Sequence, residues 1–220
     1  METIRIKICC ISSAREARLA VRYGASALGL VSEMPSGPGV ISEKQIAEIA
    51  ASVPPPVATF LLTSRTAAAD IITQQKNCGV NTIQICDRIP PGSYAELRVA
   101  LPGISLVQVI HVADGNSVAE AAEAARYVDA LLLDSGNPSL PVKKLGGTGR
   151  THDWSVSAKI VAESEVPVFL AGGLNPGNVG EAIRSVRPFG VDVCNGVRIG
   201  DELDEGKLAA FIAGARAALG

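Results

Sequence analysis

Two side chains draw attention as proton-transfer groups because of where they fall in apolar runs. Cys9 closes the alternating stretch Ile4-Arg5-Ile6-Lys7-Ile8-Cys9, just ahead of Ser12-Ser13, a helix-start signal. In a strand, Lys7 and Cys9 share one face, and Ile6, Ile8 and Cys10 share the other. A lysine on the face of a strand-terminal cysteine is not plain core, and Cys9 is assigned as a general base. The competing reading is an inert small hydrophobe, the usual state of a buried cysteine. Asp134 ends the run Leu131-Leu132-Leu133-Asp134. Its carboxyl either caps the following loop or is a working group at the strand tip, on the same rim as Cys9.

A second group of residues suits an anion. Gly146-Gly147-Thr148-Gly149, Ala171-Gly172-Gly173-Leu174-Asn175 and Asn195-Gly196-Val197 are glycine-rich turns clustered late in the chain. Gly147, Thr148, Gly149, Gly172, Gly173, Asn195 and Gly196 are therefore expected to hold a phosphate. Glycine lets backbone N–H groups approach an anion with no Cβ in the way. A single Gly-Gly pair is more often a tight turn, but three such turns on one rim favour phosphate. Lys7 would be buried beside Cys9, and an unpaired buried ammonium is costly. Asp192, on the last strand, is its proposed partner, and the cation could in turn favour the Cys9 thiolate. His111 and His152 follow apolar or glycine-rich segments and could titrate near neutrality. Each also suits an ordinary loop hydrogen bond; His111 is kept as a possible substrate contact, as are Lys7, Arg150 and Asp192.

These groups need a scaffold that brings distant strand ends together. Short Val/Ile/Leu runs alternate with Ala/Glu/Arg-rich segments of helical period, and the spacing predicts strands at 4–9, 26–31, 57–62, 81–86, 105–110, 129–133, 167–171 and 190–194. Helices are expected at 14–23, 43–52, 118–127 and 177–186, with Ser42 and Gln45 forming a capping box. Gly24, Gly79 and Gly103 sit where helices would end. Strands apolar on both faces suit a sheet covered outside by helices and filled inside by side chains. Eight βα units in 220 residues predict a compact (β/α)8 TIM barrel occupying 1–220 as a single domain. An open doubly wound sheet would need a Gly-rich dinucleotide turn after the first strand, and none follows Cys9. Cys9, Asp134 and the glycine turns then meet at the C-terminal rim, where the long connection 135–152 also lies.

Composition narrows the partner. The net charge is −2 and 47% of residues are apolar, with no basic face or polybasic run, which argues against nucleic acid and anionic membranes. The N-terminus lacks a signal-peptide pattern, and no apolar stretch approaches the roughly 18 residues of a membrane span. A cytoplasmic location is expected. The five cysteines form an odd set without a CxxC pair, which fits reduced thiols and leaves a metal site improbable.

Taken together, several motifs resemble the phosphoribosylanthranilate isomerase family of tryptophan biosynthesis. They are Lys7-Ile8-Cys9, Leu133-Asp134, Gly146 to Gly149 followed by Asp153-Trp154, Leu170 to Pro176 with Asn178-Val179, and Arg187 to Val193. The resemblance spans essentially the whole chain and is most specific in the second half. It implies an Amadori rearrangement on a (β/α)8 barrel with no cofactor and no metal. Asp134 matches the general acid that opens the ribose ring, and Cys9 matches the base that removes the C2 proton. The partner implied is a small phosphorylated sugar amine, bound by a monomer or homodimer.

The first half departs from the pattern. Cys10 stands where the family has glycine, and is expected to face outward toward a helix. Gly39 occupies the position of an arginine that lies near the anthranilate, and Cys86 that of a histidine. Arg150, Arg198, Lys143 and Lys144 are the candidate replacement cations. A sister isomerase for another phosphosugar amine or phosphorylated aldose is the alternative, as is a non-catalytic barrel that binds a phosphorylated metabolite.

Overall fold

The computed structural model describes residues 3–136, 143, 145 and 151–218. Eight parallel strands close into a barrel in sequence order. They are β1 (Arg5–Ile8), β2 (Ala27–Val31), β3 (Ala58–Thr63), β4 (Thr82–Ile85), β5 (Ser105–His111), β6 (Ala130–Asp134), β7 (Val168–Leu170) and β8 (Gly190–Val193). Every strand foreseen from the hydrophobic period is present, with ends shifted by a residue or two. Closure comes from β1 lying beside β8, which sets Lys7 against Asp192 and Ile8 against Val193.

Helices α1 (Ala14–Tyr23), α2 (Glu43–Ser52), α3 (Ala68–Cys78), α4 (Pro91–Ala100), α5 (Asn116–Ala125), α6 (Trp154–Glu163), α7 (Val179–Val186) and α8 (Glu205–Ala217) form the outer layer. Their ends show why they start and stop where they do. The Ser13 hydroxyl accepts from the Glu16 N–H, and Ser42 with Gln45 forms the expected capping box. Gly24 and Gly79 close α1 and α3 in the left-handed region, at φ of 99° and 64°. Two starts differ from expectation: α5 begins at Asn116 with no side-chain cap, and α7 begins three residues beyond Pro176. There Asn175 and Asn178 fold into the preceding turn, the Asn175 N–H donating to Asn178 Oδ1 at 2.8 Å.

Two apolar layers result. Ile6, Ile8, Leu28, Leu61, Ile83, Leu131 and Leu170 point outward into the helix layer and are nearly or fully buried. Each contributes roughly 1.5–3 kcal/mol of hydrophobic burial. Phe60, Leu62, Val107, Val109, Leu132 and Phe169 fill the interior. The alternation along each strand is what leaves Lys7, Cys9, Asp134 and Asp192 on the inner face. Beyond β8 a short 3-10 turn, Asn195–Val197, leads into a hairpin of β9 (Arg198–Ile199) and β10 (Glu202–Leu203). No helix among the described residues is long and apolar enough to cross a membrane.

Candidate active site

At the C-terminal rim a cavity of about 260 Å³ is lined by Cys9, Asp134, Asp192, Gly172, Gly173, Asn195 and Gly196. It thus unites residues from β1, β6, β7 and β8 that are far apart in sequence. Gly147, Thr148, Gly149 and Arg150, expected at the same rim, lie outside the described residues.

Below the rim, Lys7 and Asp192 form the anticipated ion pair, Nζ to Oδ2 at 2.9 Å, with the lysine wholly buried. Burial works against the ammonium, but the adjoining Asp192 carboxylate outweighs it and holds the Lys7 pKa above its ordinary value. Lys7 does not line the cavity, so its expected role as a substrate contact gives way to a structural one. Asp192 does line it.

Gly29 explains how Cys9 and Lys7 fit side by side. A Cβ there would lie 2.7 Å from the Cys9 Sγ and 3.1 Å from the Lys7 Nζ. A glycine inside a strand marks such a close approach, and it is the signal by which this residue could have been found in the sequence.

The two proton-transfer candidates sit in unlike environments. Burial raises the Asp134 pKa above the carboxylate range, and the Asp192 charge adds to the effect; the Ser135 N–H, 2.7 Å from Oδ1, opposes it. A carboxyl so placed holds a proton longer than a solvated one does. Cys9 is pushed up to about 11 by burial, which exceeds the opposing pull of Lys7. The expectation that the cation would favour a standing thiolate therefore fails, because the Lys7 charge is already matched by Asp192 while the thiol has lost its water. Cys86, also in the lining, is pushed up to about 12, again chiefly by burial.

Cys10 corrects a second expectation. Its φ of 62° lies in the left-handed region, turning the side chain away from the helix layer and into the cavity wall. There it is disulfide-bonded to Cys194, so these two cysteines are not the reduced thiols anticipated; Cys9, Cys78 and Cys86 are free. Positive φ is the conformation that glycine adopts without cost, which accounts for glycine at this position in the family pattern. Gly39 packs on the same residue: at φ 77°, its Cβ would fall 2.5 Å from the Cys10 Cβ.

Arg198 cannot serve as a rim cation. It is buried against Glu16, Nη2 to Oε2 at 2.8 Å, and also donates to the Cys10 and Asp201 carbonyls. Glu16 further accepts from the Ser12 and Leu203 N–H groups, so this pair pins the loops after β1 and β8 together. No local pattern signals it, since the partners lie 182 residues apart.

The histidines have structural partners. His111 Nε2 bonds the Cys86 carbonyl at 3.0 Å, which assigns the proton to that nitrogen; His111 lies beside Asp134 in register and outside the cavity lining. His152 Nε2 meets the Ser157 Oγ at 2.7 Å, and burial lowers its pKa to about 4, leaving it neutral. Among the described residues no group of three or more His, Cys, Asp or Glu could hold a metal ion.

The end of the cavity where a phosphate is expected is built from main chain. Gly172 and Gly173 adopt φ of 82° and 65°, and a Cβ on Gly196 would collide with the Leu174 carbonyl oxygen. The turns after β7 and β8 therefore pack backbone against backbone and present their edges to the cavity, the arrangement by which barrels bind phosphate. A closed (β/α)8 barrel that sets a carboxyl and a thiol beside such turns has the groups that proton-transfer chemistry on a small phosphorylated sugar requires.

Comparison with known proteins gives the family. A family model described as N-(5'-phosphoribosyl)anthranilate (PRA) isomerase matches residues 6–213, and the chain belongs to that family. It is 36% identical to N-(5'-phosphoribosyl)anthranilate isomerase 2 of Methanosarcina mazei over 95% of this chain and 92% of the relative. Against the Methanocella arvoryzae isomerase it is 33% identical over 88% of each chain. The solved phosphoribosyl anthranilate isomerase of Thermotoga maritima superposes with a TM-score of 0.84 at 28% identity, covering 97% of this chain and 99% of the other. A structure of an isomerase in complex with reduced 1-(o-carboxyphenylamino)-1-deoxyribulose 5-phosphate superposes with a TM-score of 0.81 at 26% identity, with the same coverage.

Proposed function

We propose that this chain converts N-(5'-phosphoribosyl)anthranilate to 1-(2-carboxyphenylamino)-1-deoxyribulose 5-phosphate, the Amadori step of tryptophan biosynthesis, with Asp134 as general acid and Cys9 as general base. The observation that carries the assignment is that both open into the one cavity whose other wall is the glycine cradle. Asp134 gives its proton to the ribose ring oxygen, the C1–O bond breaks, and the sugar opens to an iminium at the anthranilate nitrogen. Cys9 takes the C2 proton, the electron pair flows into the iminium, and the resulting enolamine tautomerises to the C2 ketone. Ring opening needs a donor at oxygen and the second step needs a base at carbon, so two groups of opposite protonation suffice without a cofactor.

Between the raised pKa of Asp134 and about 11 the pair holds one proton. The reactive arrangement places it on Asp134 and leaves Cys9 as thiolate, with the buried Lys7 ammonium beside the sulfur. Gly172, Gly173, Asn195 and Gly196 hold the 5'-phosphate, joined by Gly147, Thr148 and Gly149. The near-neutral charge balance supports a small-molecule enzyme with no nucleic-acid partner, and a biosynthetic step of this kind places it in the cytoplasm. Continuous closure of the strands supports one domain. One solved relative, from Thermotoga maritima, is described as a dimeric isomerase converted to monomers, so this chain works as a monomer or homodimer.

The test is turnover of freshly prepared phosphoribosylanthranilate followed by loss of its fluorescence, alongside rescue of a tryptophan auxotroph lacking the enzyme. Turnover and rescue are expected. A well-folded chain that does neither would refute the assignment.

A further inference from the structure

Besides its phosphate, the substrate of the proposed reaction carries a second anion, the carboxylate on the aromatic ring. The cavity as lined has nothing to receive it. Among the described residues the lining holds no cationic side chain; its ionisable groups are the Asp134 and Asp192 carboxyls and cysteine thiols. The end away from the glycine cradle is formed by Met34, Pro38, Leu62, Cys86 and Leu145, a slot suited to a flat apolar ring. A carboxylate pushed into that slot without a donor would lose its water for no return.

One described cation lies beside this slot, outside the lining itself, and bridges two of the segments that flank it. The Lys143 carbonyl accepts from the hydroxyl of Ser36, on the loop after β2, at 2.8 Å. Its Nζ reaches Asp87, the residue after Cys86 at the end of β4, at 2.5 Å. The lysine therefore ties the loop after β2 to the end of β4, and its side chain remains 46% exposed, while Asp87 is buried. The other described cations near these loops are committed elsewhere: Arg65 to Glu43, Arg88 to Glu120, and Arg198 to Glu16.

We propose that Lys143 is the specificity residue of this enzyme, its ammonium receiving the aromatic carboxylate of the substrate while Asp87 holds it in place. The inference rests on the function proposed above. An ammonium has three N–H donors, and Asp87 takes one. A substrate carboxylate meeting the ammonium from the cavity side lies closer to the positive charge than to Asp87 behind it, so attraction exceeds repulsion. The Lys143 carbonyl is held by Ser36, which lines the cavity, and its ammonium by Asp87, the residue after the lining Cys86.

The experiment compares the wild type, Lys143→Met and Lys143→Arg in steady-state turnover of phosphoribosylanthranilate, with free anthranilate and inorganic phosphate as competitive inhibitors. Loss of one charge-assisted contact should raise KM about 10- to 100-fold in Lys143→Met and weaken anthranilate inhibition by a similar factor. kcat and phosphate inhibition should change less than about threefold, and Lys143→Arg should restore most of the KM. Wild-type turnover with an unchanged KM and unchanged anthranilate inhibition in Lys143→Met overturns the inference and leaves the isomerase assignment intact. So does an equal loss for anthranilate and phosphate, or an effect confined to Lys144→Met or Arg150→Met. Absence of turnover in the wild type removes both.

Discussion

The two ends of the cavity are built by different means. At the end proposed for phosphate the turns after β7 and β8 use backbone: Gly172, Gly173 and Gly196 remove Cβ atoms so that main-chain groups can crowd together. At the end proposed for the aromatic ring, side chains from β3 and from the loops after β2 and β6 make the wall, with Met34, Pro38, Leu62 and Leu145 supplying apolar surface. A phosphate dianion is the same in every phosphosugar, so a backbone cradle serves without change. The aglycone differs from one substrate to another, and side chains are what a sequence can vary. That contrast explains why the motifs matching the family cluster in the second half of the chain and the departures in the first.

Cys9 and Asp134 stand between the two ends, and their removal is the strongest test that binding and chemistry are separate. Cys9→Ala and Asp134→Asn should each lower kcat by about 10²- to 10⁴-fold, while the inhibition constant of inorganic phosphate stays within a few-fold. The pH profile sharpens the point. With one proton shared between a raised carboxyl and a thiol near 11, kcat/KM should rise through the Asp134 pKa, hold a plateau, and fall only near 11. In Asp134→Asn the low-pH limb set by that carboxyl should disappear, leaving activity that climbs with ionisation of Cys9. Comparable losses in kcat and in phosphate affinity would mean that the ends and the centre are not independent.

The floor beneath both ends is the Lys7–Asp192 pair, which joins the first and last strands. Asp192→Asn strands a buried ammonium and should destabilise by about 3–5 kcal/mol. Lys7→Met should cost much less, because an apolar chain of similar volume carries no charge to desolvate and Asp192 borders the cavity. Urea midpoints of the two variants measure the difference. Equal tolerance of both would show that the floor does not depend on this charge.

The smallest effect is expected from the link between the ends. Cys10, packed under Gly39 of the aromatic side, is bonded to Cys194 at the edge of the phosphate cradle. Reduction, or Cys194→Ser, should lower stability by about 2–5 kcal/mol, since the bond closes a loop spanning 184 positions. The Arg198–Glu16 pair bridges the same two loops and should keep them assembled, so kcat should fall only a few-fold. Unchanged stability on reduction would show that the two ends are tied by the ion pair alone.

Much of this molecule could be read before its coordinates. Hydrophobic period located all eight strands, because strands buried on both faces leave short apolar runs between amphipathic helices. Capping chemistry placed Ser13 and Ser42, and strand parity put Lys7 and Cys9 on the inner face. Closure of the ring followed from the strand count, and with it the pairing of Lys7 with Asp192. What escaped depended on conformation or on long-range contact. Strand parity sends Cys10 outward, yet a left-handed φ turns it inward, and such a turn leaves no mark on residue type when the residue is not glycine. Arg198 looked like a free cation until Glu16 met it from the other end of the chain.

Residue order alone determined which elements form, which faces they bury, and which side chains can exchange a proton at strand ends, because these follow from local period and strand parity. The assembled barrel decided how those groups behave. Burial outweighs the cation beside Cys9 and raises Asp134, while tertiary contacts commit Arg198 to Glu16 and set Lys143 against Asp87. Such outcomes depend on distances and on loss of solvent, and neither exists until strands far apart in sequence have closed on one another.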